Sequence, residues 1–216
     1  MSDHNQFIPA LRFKFLTPLY DPLLRWGMRE ITFKRRLIQE ARIAPKSRVL
    51  DLGCGTGTLT VLIKQIHSDA QVVGVDGDPT VLAIARAKAV RQNVSITFAE
   101  GMAFQLADRD HSFDRVVSSL MMHHLATADK QRALSEALRV LKPGGELLIV
   151  DFAQPDNFVA AAIATIMRRF ERTADLIEGR LPEMIRAAGF QNVEIVVRFA
   201  TIFGALALYR GVKPAR

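Results

Sequence analysis

The sequence is poor in cysteine, and Cys54 is the only one in 216 residues, so it can form no internal disulfide and no thiolate metal cluster. Long apolar runs are missing too. The longest near-apolar stretches, "FVAAAIATIM" and "FATIFGALALY", fall short of the roughly 20 residues that span a bilayer. The start, "MSDHNQFIPALRFKF", has no unbroken apolar stretch after a basic opening, and a signal peptide is not expected. A cytoplasmic protein is the simplest expectation. No internal repeat or low-complexity segment is present, and 49% apolar with 24% charged residues is ordinary globular composition. Two further absences bear on ligands. No Lys-Ser/Thr follows the glycine-rich stretch, which excludes a P-loop, and no third glycine sits where a dinucleotide fingerprint needs one.

What is present begins with charge. The net charge is +7, and residues 1–48 carry ten Lys/Arg against four Asp/Glu, interleaved with Phe7, Phe13, Phe15, Tyr20 and Trp26. A basic, aromatic segment suits an anionic partner or a membrane surface, and also a solvated helix face with its apolar side packed on the domain.

Short Val/Ile/Leu runs alternate with helical patterns. Strands are expected at 48–52, 71–76, 95–100, 115–120, 146–152, 193–199 and 205–212, and helices at 59–67, 79–91, 129–140 and 181–188. Runs apolar on both faces with helices between them predict an α/β fold with a mostly parallel sheet. The last two strands have no helix between them, so they are expected to pair as an antiparallel hairpin. Two segments stand outside the alternation: an N-terminal helical cover over 1–44 and a helical cap insertion over 153–180. The whole chain, 1–216, is read as a single domain.

The stretch "VLDLGCGTGTLTVLI" places Gly53, Gly55 and Gly57 between a strand and a helix, where the chain must turn sharply and is expected to expose free amides. Asp76 ends the second strand, where a carboxylate accepts ribose hydroxyls. Asp51 is an acid inside a buried strand and needs a partner, either loop amides or an ammonium group. A nucleoside bearing an amino-acid tail and no phosphate would use all of these features.

Taken together, "VLDLGCGTG", "VVGVDGDP", "DRVVSSLMMHHL", "LKPGGELLIVDF" and "AAGFQNVEIV" resemble the class I S-adenosylmethionine-dependent methyltransferases, over residues 45 to 216. "LYDPLLRW" and "FGALALYRGVK" resemble the branch holding the ubiquinone/menaquinone-biosynthesis methyltransferases. The resemblance implies a Rossmann-like seven-stranded sheet of order 3-2-1-4-5-7-6 with strand 7 antiparallel. It implies S-adenosyl-L-methionine as cofactor, S-adenosyl-L-homocysteine as product, and no metal. Gly53, Gly55 and Gly57 would then line the methionine portion, Asp76 would hold the ribose, Ala103 would offer its backbone amide to adenine with Met102 packed on the ring, and Ser118 and Ser119 would lie near the reacting methyl. Asp51, Cys54 and Gly77 complete the cofactor-binding set.

Two departures stand out. Relatives carry Gly-Asp-Ala after the third strand, where this chain has Gly101-Met102-Ala103, and methionine accepts hydrogen bonds only weakly. Either cofactor affinity is lower for want of that bond, or Asp108 or a water replaces the missing acceptor. The quinone methylases also carry Arg-Asn after the fourth strand, where this chain has "MMHHL". His123 and His124 are the expected general-base candidates, since histidine titrates near neutrality, and Tyr20 is a candidate to orient the acceptor. The expected acceptor is a small, lipophilic molecule, with peripheral membrane contact through the N-terminal segment and a monomer or homodimer as the assembly. Nucleic acid is the lesser expectation, because no Asn-Pro-Pro-Tyr/Phe motif follows the fourth strand. The remaining alternative is a cofactor-binding partner subunit without turnover.

Overall fold

Buried β-branched runs flanked by glycine turns leave the chain little choice but strands, and in the computed structural model all seven form one sheet. The structure describes residues 30–155, 173–201 and 204–215. In chain order the elements are helix α1 (Glu30–Ala41), strand β1 (Arg48–Leu52), α2 (Thr58–Ile66), β2 (Gln71–Asp76), α3 (Pro79–Arg91), β3 (Thr97–Glu100) and β4 (Phe113–Ser119). There follow a single 3-10 turn (Met122–His124), α4 (Thr127–Val140), β5 (Leu141–Phe152), α5 (Ala174–Ile177), α6 (Leu181–Ala187), β6 (Gln191–Thr201) and β7 (Gly204–Val212).

The strand order is β3-β2-β1-β4-β5-β7-β6, as the resemblance implied. The first four pairings are parallel, and β7 runs antiparallel to both β5 and β6. The expected terminal hairpin is therefore present. Strand order reverses direction between β1 and β4, which opens a crevice at their carboxyl ends.

The largest departure from the expected boundaries is at the fifth strand, expected at 146–152: β5 is already extended at Leu141, which pairs with Phe113. The next pairing is Arg115 with Glu146, so residues 142–145 bulge out, with Gly144 at φ 75° making the turn.

Helix α1 lies within the segment expected as an N-terminal cover, and its burial follows the helical period. Phe33, Lys34, Leu37, Ile38 and Ala41 are buried, while Arg35, Arg36 and Gln39 are exposed. It packs on β4 and β5, and its last carbonyl, on Ala41, accepts from Arg115 Nε at 2.6 Å. Because β4 enters the sheet near Arg115, α1 runs back along the sheet and its first turn points to the carboxyl edge. The α4 helix covers β5 as well, and Leu147 to Phe152 are all buried.

Candidate active site

The site is built where β1 and β4 leave the sheet. Gly53, Gly55 and Gly57 all have positive φ, at 70°, 53° and 73°, which glycine adopts at little cost. The three bare Cα atoms have different reasons. A Cβ on Gly53 would lie 2.1 Å from Met121 Cγ, and one on Gly57 would lie 2.8 Å from the Ala85 Cβ of α3. One on Gly55 would meet nothing within 4 Å. Only Gly55 therefore presents a bare face to open space.

The expectation of free loop amides is overturned. Gly53 and Cys54 both donate to the Val75 carbonyl, at 2.8 and 3.0 Å, and Gly57 donates to the Cys54 carbonyl at 2.9 Å. Gly55 donates to Asp76 Oδ2 at 2.8 Å. A loop that cradles phosphates needs those amides turned outward. Here those of Gly53, Cys54 and Gly55 are spent on β2 and that of Gly57 within the loop, so the loop offers shape and carboxylates, not an anion nest. Lys88 of α3 braces it from behind, donating to Thr58 Oγ1 at 2.8 Å and Thr56 Oγ1 at 3.2 Å.

Asp76 is half-buried, and each of its oxygens accepts one backbone amide, Oδ2 from Gly55 and Oδ1 from Asp78. Burial raises its pKa and the two amides only partly offset that. Its remaining lone pairs suit hydroxyl donors. Gly77, beside it, is half-buried. Asp51 is buried, and its partner is neither of those expected: Thr60 Oγ1 of α2 donates to Oδ2 at 2.6 Å. Burial pushes its pKa up to about 6, opposed by the Thr60 hydroxyl and the charge of Lys34. Cys54 turns into the sheet, its Sγ lying where a side chain on Gly74 would be. Burial, then the charges of Asp51 and Asp76, raise its thiol pKa far above neutrality, so it is no nucleophile.

After β3, Gly101 donates to the Asp76 carbonyl at 3.0 Å, which sets the following turn beside the carboxylate. Met102 bridges to Gln105, and Met102 and Ala103 are half-buried on that turn. Asp108 cannot replace the missing acceptor. It sits 3.3 Å from Arg48 Nη2, and Arg48 opens β1 at the opposite edge of the sheet.

The β4 side is closed more tightly. Ser118 is buried and donates to the Leu52 carbonyl at 2.8 Å, so it ties β4 to β1. Ser119 Oγ is buried without a hydrogen bond among the described residues, which costs free energy unless a ligand engages it. Leu120 then takes φ 56°, a sparsely populated conformation for a branched residue, held by its amide on the Val150 carbonyl at 2.8 Å. That sharp exit puts Met121 against Gly53 and turns the Met122–His124 segment onto β5.

There the structure reveals a pair that was not foreseen. His123 Nδ1 lies 2.9 Å from Asp151 Oδ1, and both residues are buried. Asp151 also accepts the Met122 amide on Oδ2 and its neighbour Phe152's amide on Oδ1, each at 2.8 Å. Burial alone would raise the Asp151 pKa. His123 and these amides instead hold it below the usual carboxylate range. The carboxylate's hold on Nδ1 fixes the orientation of the imidazole ring. His124 packs against His123 with ring centroids 4.0 Å apart and the planes tilted by 45°. Desolvation and then the charge of His123 lower its pKa to about 3. Tyr20 lies outside the described residues. Among the described residues no three His, Cys, Asp or Glu side chains converge as a metal site.

These features define a class first: an α/β protein that binds, at a strand switch point, a nucleoside with free hydroxyls and no phosphate. Open space at Gly55, the available acceptors on Asp76 and the buried hydroxyl of Ser119 all fit such a group. Residues 49–145 match the model of a methyltransferase domain. The chain is 32% identical over 229 residues to a demethylmenaquinone methyltransferase of Thermus thermophilus, covering 94% of this chain and 100% of that one. In fold it is similar to the YcgJ protein of Bacillus subtilis (TM-score 0.70, 20% identity, 85% of this chain and 99% of that one). It is also similar to phosphoethanolamine N-methyltransferase 2 of Haemonchus contortus, solved with S-adenosyl-L-methionine (TM-score 0.69, 18% identity, 85% and 52%). The chain belongs to the class I S-adenosylmethionine-dependent methyltransferases.

Proposed function

We propose that this methyltransferase acts on a small, lipophilic acceptor of phenol or quinol type, and that His123, held by Asp151, takes the acceptor's proton. The bound cofactor supplies a methyl group on a sulfonium, already activated for in-line displacement. Asp76 and Gly77 would hold its ribose, and Asp51, Gly53, Cys54, Gly55 and Gly57 would shape its amino-acid end. Met102 and Ala103 would flank the base, and Ser119 would face the reacting end. Ser118 acts through the β1–β4 tie.

The observation that carries the acceptor reading is the buried His123–Asp151 contact of 2.9 Å at the carboxyl ends of β4 and β5. A nucleophile that arrives protonated must lose a proton during transfer, and a positioned base contributes about 10²–10⁴-fold. The carboxylate orients the ring and stabilises the imidazolium that forms. His124 is the lesser candidate, since no carboxylate holds it among the described contacts. Lipophilicity is supported by the relative's activity on demethylmenaquinone, as its name states. The aromatic and basic residues of 1–48 support docking on an anionic membrane surface. Among the described residues no helix is long and apolar enough to cross a membrane.

A tritiated-methyl transfer assay against fractionated cell extract tests this reading. Label should enter the organic-soluble fraction, and His123→Asn should abolish that label while S-adenosylhomocysteine binding persists. Label confined to protein, nucleic acid or strongly polar molecules would overturn the lipophilic acceptor.

A further inference from the structure

Helix α3 is apolar on two opposite sides. Val81, Leu82, Ala85 and Ala89 are buried, where the helix packs on β2 and β3. The outward side carries Ala83, Ile84, Ala87 and Val90, all exposed, with Thr80 at one end and Arg91 at the other. At about 100° per residue these six positions share roughly 120° of the helix circumference. Ile84 is 39% exposed and Val90 79%. Ile66, at the end of α2, extends the patch, because Gln65 and Gln92 join the ends of the two helices at 3.0 Å. Three of the five exposed large apolar side chains among the described residues therefore lie on this one side. A helix that is apolar all round belongs in an interior, and half of the cover that α3 calls for is missing from the single chain.

The charges around the stripe favour one kind of cover. Residues 79–99 contain no acid. Arg86 is turned to the Phe98 carbonyl at 3.1 Å, and Lys88 to the hydroxyls of Thr56 and Thr58, so both leave the stripe clear. Arg91 is exposed at the last turn, with no hydrogen bond or ion pair among the described residues. An exposed acid stands at the other end. Glu100 pairs with Asp76, three residues before Pro79, and so lies beside the first turn of α3. With a base at one end and an acid at the other, the face complements itself when turned end for end.

We infer that a second copy of this chain packs on the outward face of α3, with the two helices antiparallel about a twofold axis at Ala83, Ile84 and Ala87. The small side chains of Ala83 and Ala87, one turn apart, let the helices approach closely. Each Arg91 then faces the partner's Glu100, and each helix C-terminus lies beside the partner's N-terminus, which suits both dipoles. The contact is isologous and closes at two subunits. One helix face is a small interface, so the dimer is a reversible one. It forms at the β3 end of the sheet, with β2, β1 and β4 between it and β5, and is independent of the acceptor.

Sedimentation velocity of the full chain over a dilution series tests the inference. The wild type should sediment as a dimer at high micromolar concentration and dissociate on dilution. Val90→Asp should weaken the dimer by about tenfold or more with an unchanged melting temperature, since the side chain is exposed in the single chain. Ile84→Lys is a second variant with the same expected loss. Arg91→Glu and Glu100→Arg should each weaken association by about tenfold, because each sets like charges against one another. The two combined should restore it, the pair being reversed across the axis. A wild type that is monomeric at every concentration overturns the inference. A dimer that persists in Val90→Asp and Ile84→Lys, or charge reversals whose losses add instead of cancelling, places the contact on another face and overturns it equally.

Discussion

Asp51 and Asp151 sit at equivalent depth, 1% and 0% exposed, on β1 and β5, yet their acidities move in opposite directions. Asp51 is met by the hydroxyl and backbone of Thr60 and by a nearby lysine charge, yet burial prevails, pushing its pKa up to about 6. Asp151 has an imidazole and two backbone amides, and these outweigh burial. The difference lies in how far the protein itself completes each site. The β1 half of the crevice keeps its carboxylates under-satisfied, as a site awaiting a cationic, hydroxylated ligand would. The β4–β5 half closes its hydrogen bonds internally, as a device that orients a base must.

The largest effect should come from Asp151→Asn. It removes the carboxylate that orients His123 and leaves an amide among donors, and breaking a buried pair costs about 3–5 kcal/mol. Methyl transfer should fall by about 10²–10⁴-fold, the contribution of a positioned base. The melting temperature should drop, while any fraction that stays folded binds S-adenosylhomocysteine normally. Acid should act through the same group. Its depressed pKa contributes stability above the unfolded carboxylate value, and this is lost as pH falls through the lower, folded value. An Asp151→Asn enzyme with full turnover would erase the contrast between the halves.

Asp76→Ala tests the other half. The ribose hydroxyls lose a charged acceptor worth about 1.5–3 kcal/mol, so S-adenosylhomocysteine affinity should fall about tenfold or more. Stability should change less than in Asp151→Asn, because Asp76 is half-buried and its two amide donors sit in a loop. Undiminished affinity in a folded variant would remove the ribose assignment.

Asp51→Asn should be the unusual case, a binding-site change that stabilises. An acid whose pKa is raised in the folded state binds more protons there than when unfolded, so stability declines as pH climbs from about 4 to 6. At pH 7 the ionised group is a liability, and the shift from 3.8 to about 6 corresponds to about 3 kcal/mol. That figure already includes the attraction of Lys34; the amide of the variant is still a polar group buried beside Thr60, so the net gain in thermal or urea unfolding should be about 1–2 kcal/mol. Cofactor binding by the variant should weaken. In the wild type, affinity should rise between pH 5 and 7 as Asp51 ionises, and a flat profile would contradict a role in holding the ammonium.

The two halves also differ in how legible they were. The glycine loop, Asp51 and Asp76 lie within 26 consecutive positions, and local rules for turns and strand ends suffice to find them. The His123–Asp151 pair spans 28 residues and exists only because β4 and β5 align in parallel, Ser119 opposite Val150. The sign of it in the sequence was an acid at the end of an apolar strand, the same signal that marked Asp51. The fate of the loop amides was hidden because it depends on Val75, on a neighbouring strand. Lys34 was passed over among Arg35 and Arg36 because charge counting does not ask which face of a helix a lysine occupies. The alternation of apolar runs and helices carried the fold class, and the exact strand order came with the resemblance.

The smallest expected effect belongs to Met102→Asp. The turn after β3 is pinned beside Asp76 by the Gly101 amide, and the Met102–Gln105 bridge closes it. An aspartate there would accept from the amino group of adenine. Its proximity to Asp76 adds repulsion and its half-burial adds desolvation, so the gain should be only about 0.5–1.5 kcal/mol, roughly three- to tenfold in S-adenosylhomocysteine affinity. The gain must be specific to the base. S-inosylhomocysteine, which carries an oxygen in place of that amino group, should bind Met102→Asp no better than the wild type. Equal improvement for both ligands would trace the effect to general electrostatics. No improvement for either would mean that another group already serves the adenine, and the β1 half of the crevice would then be more complete than its raised carboxylates suggest.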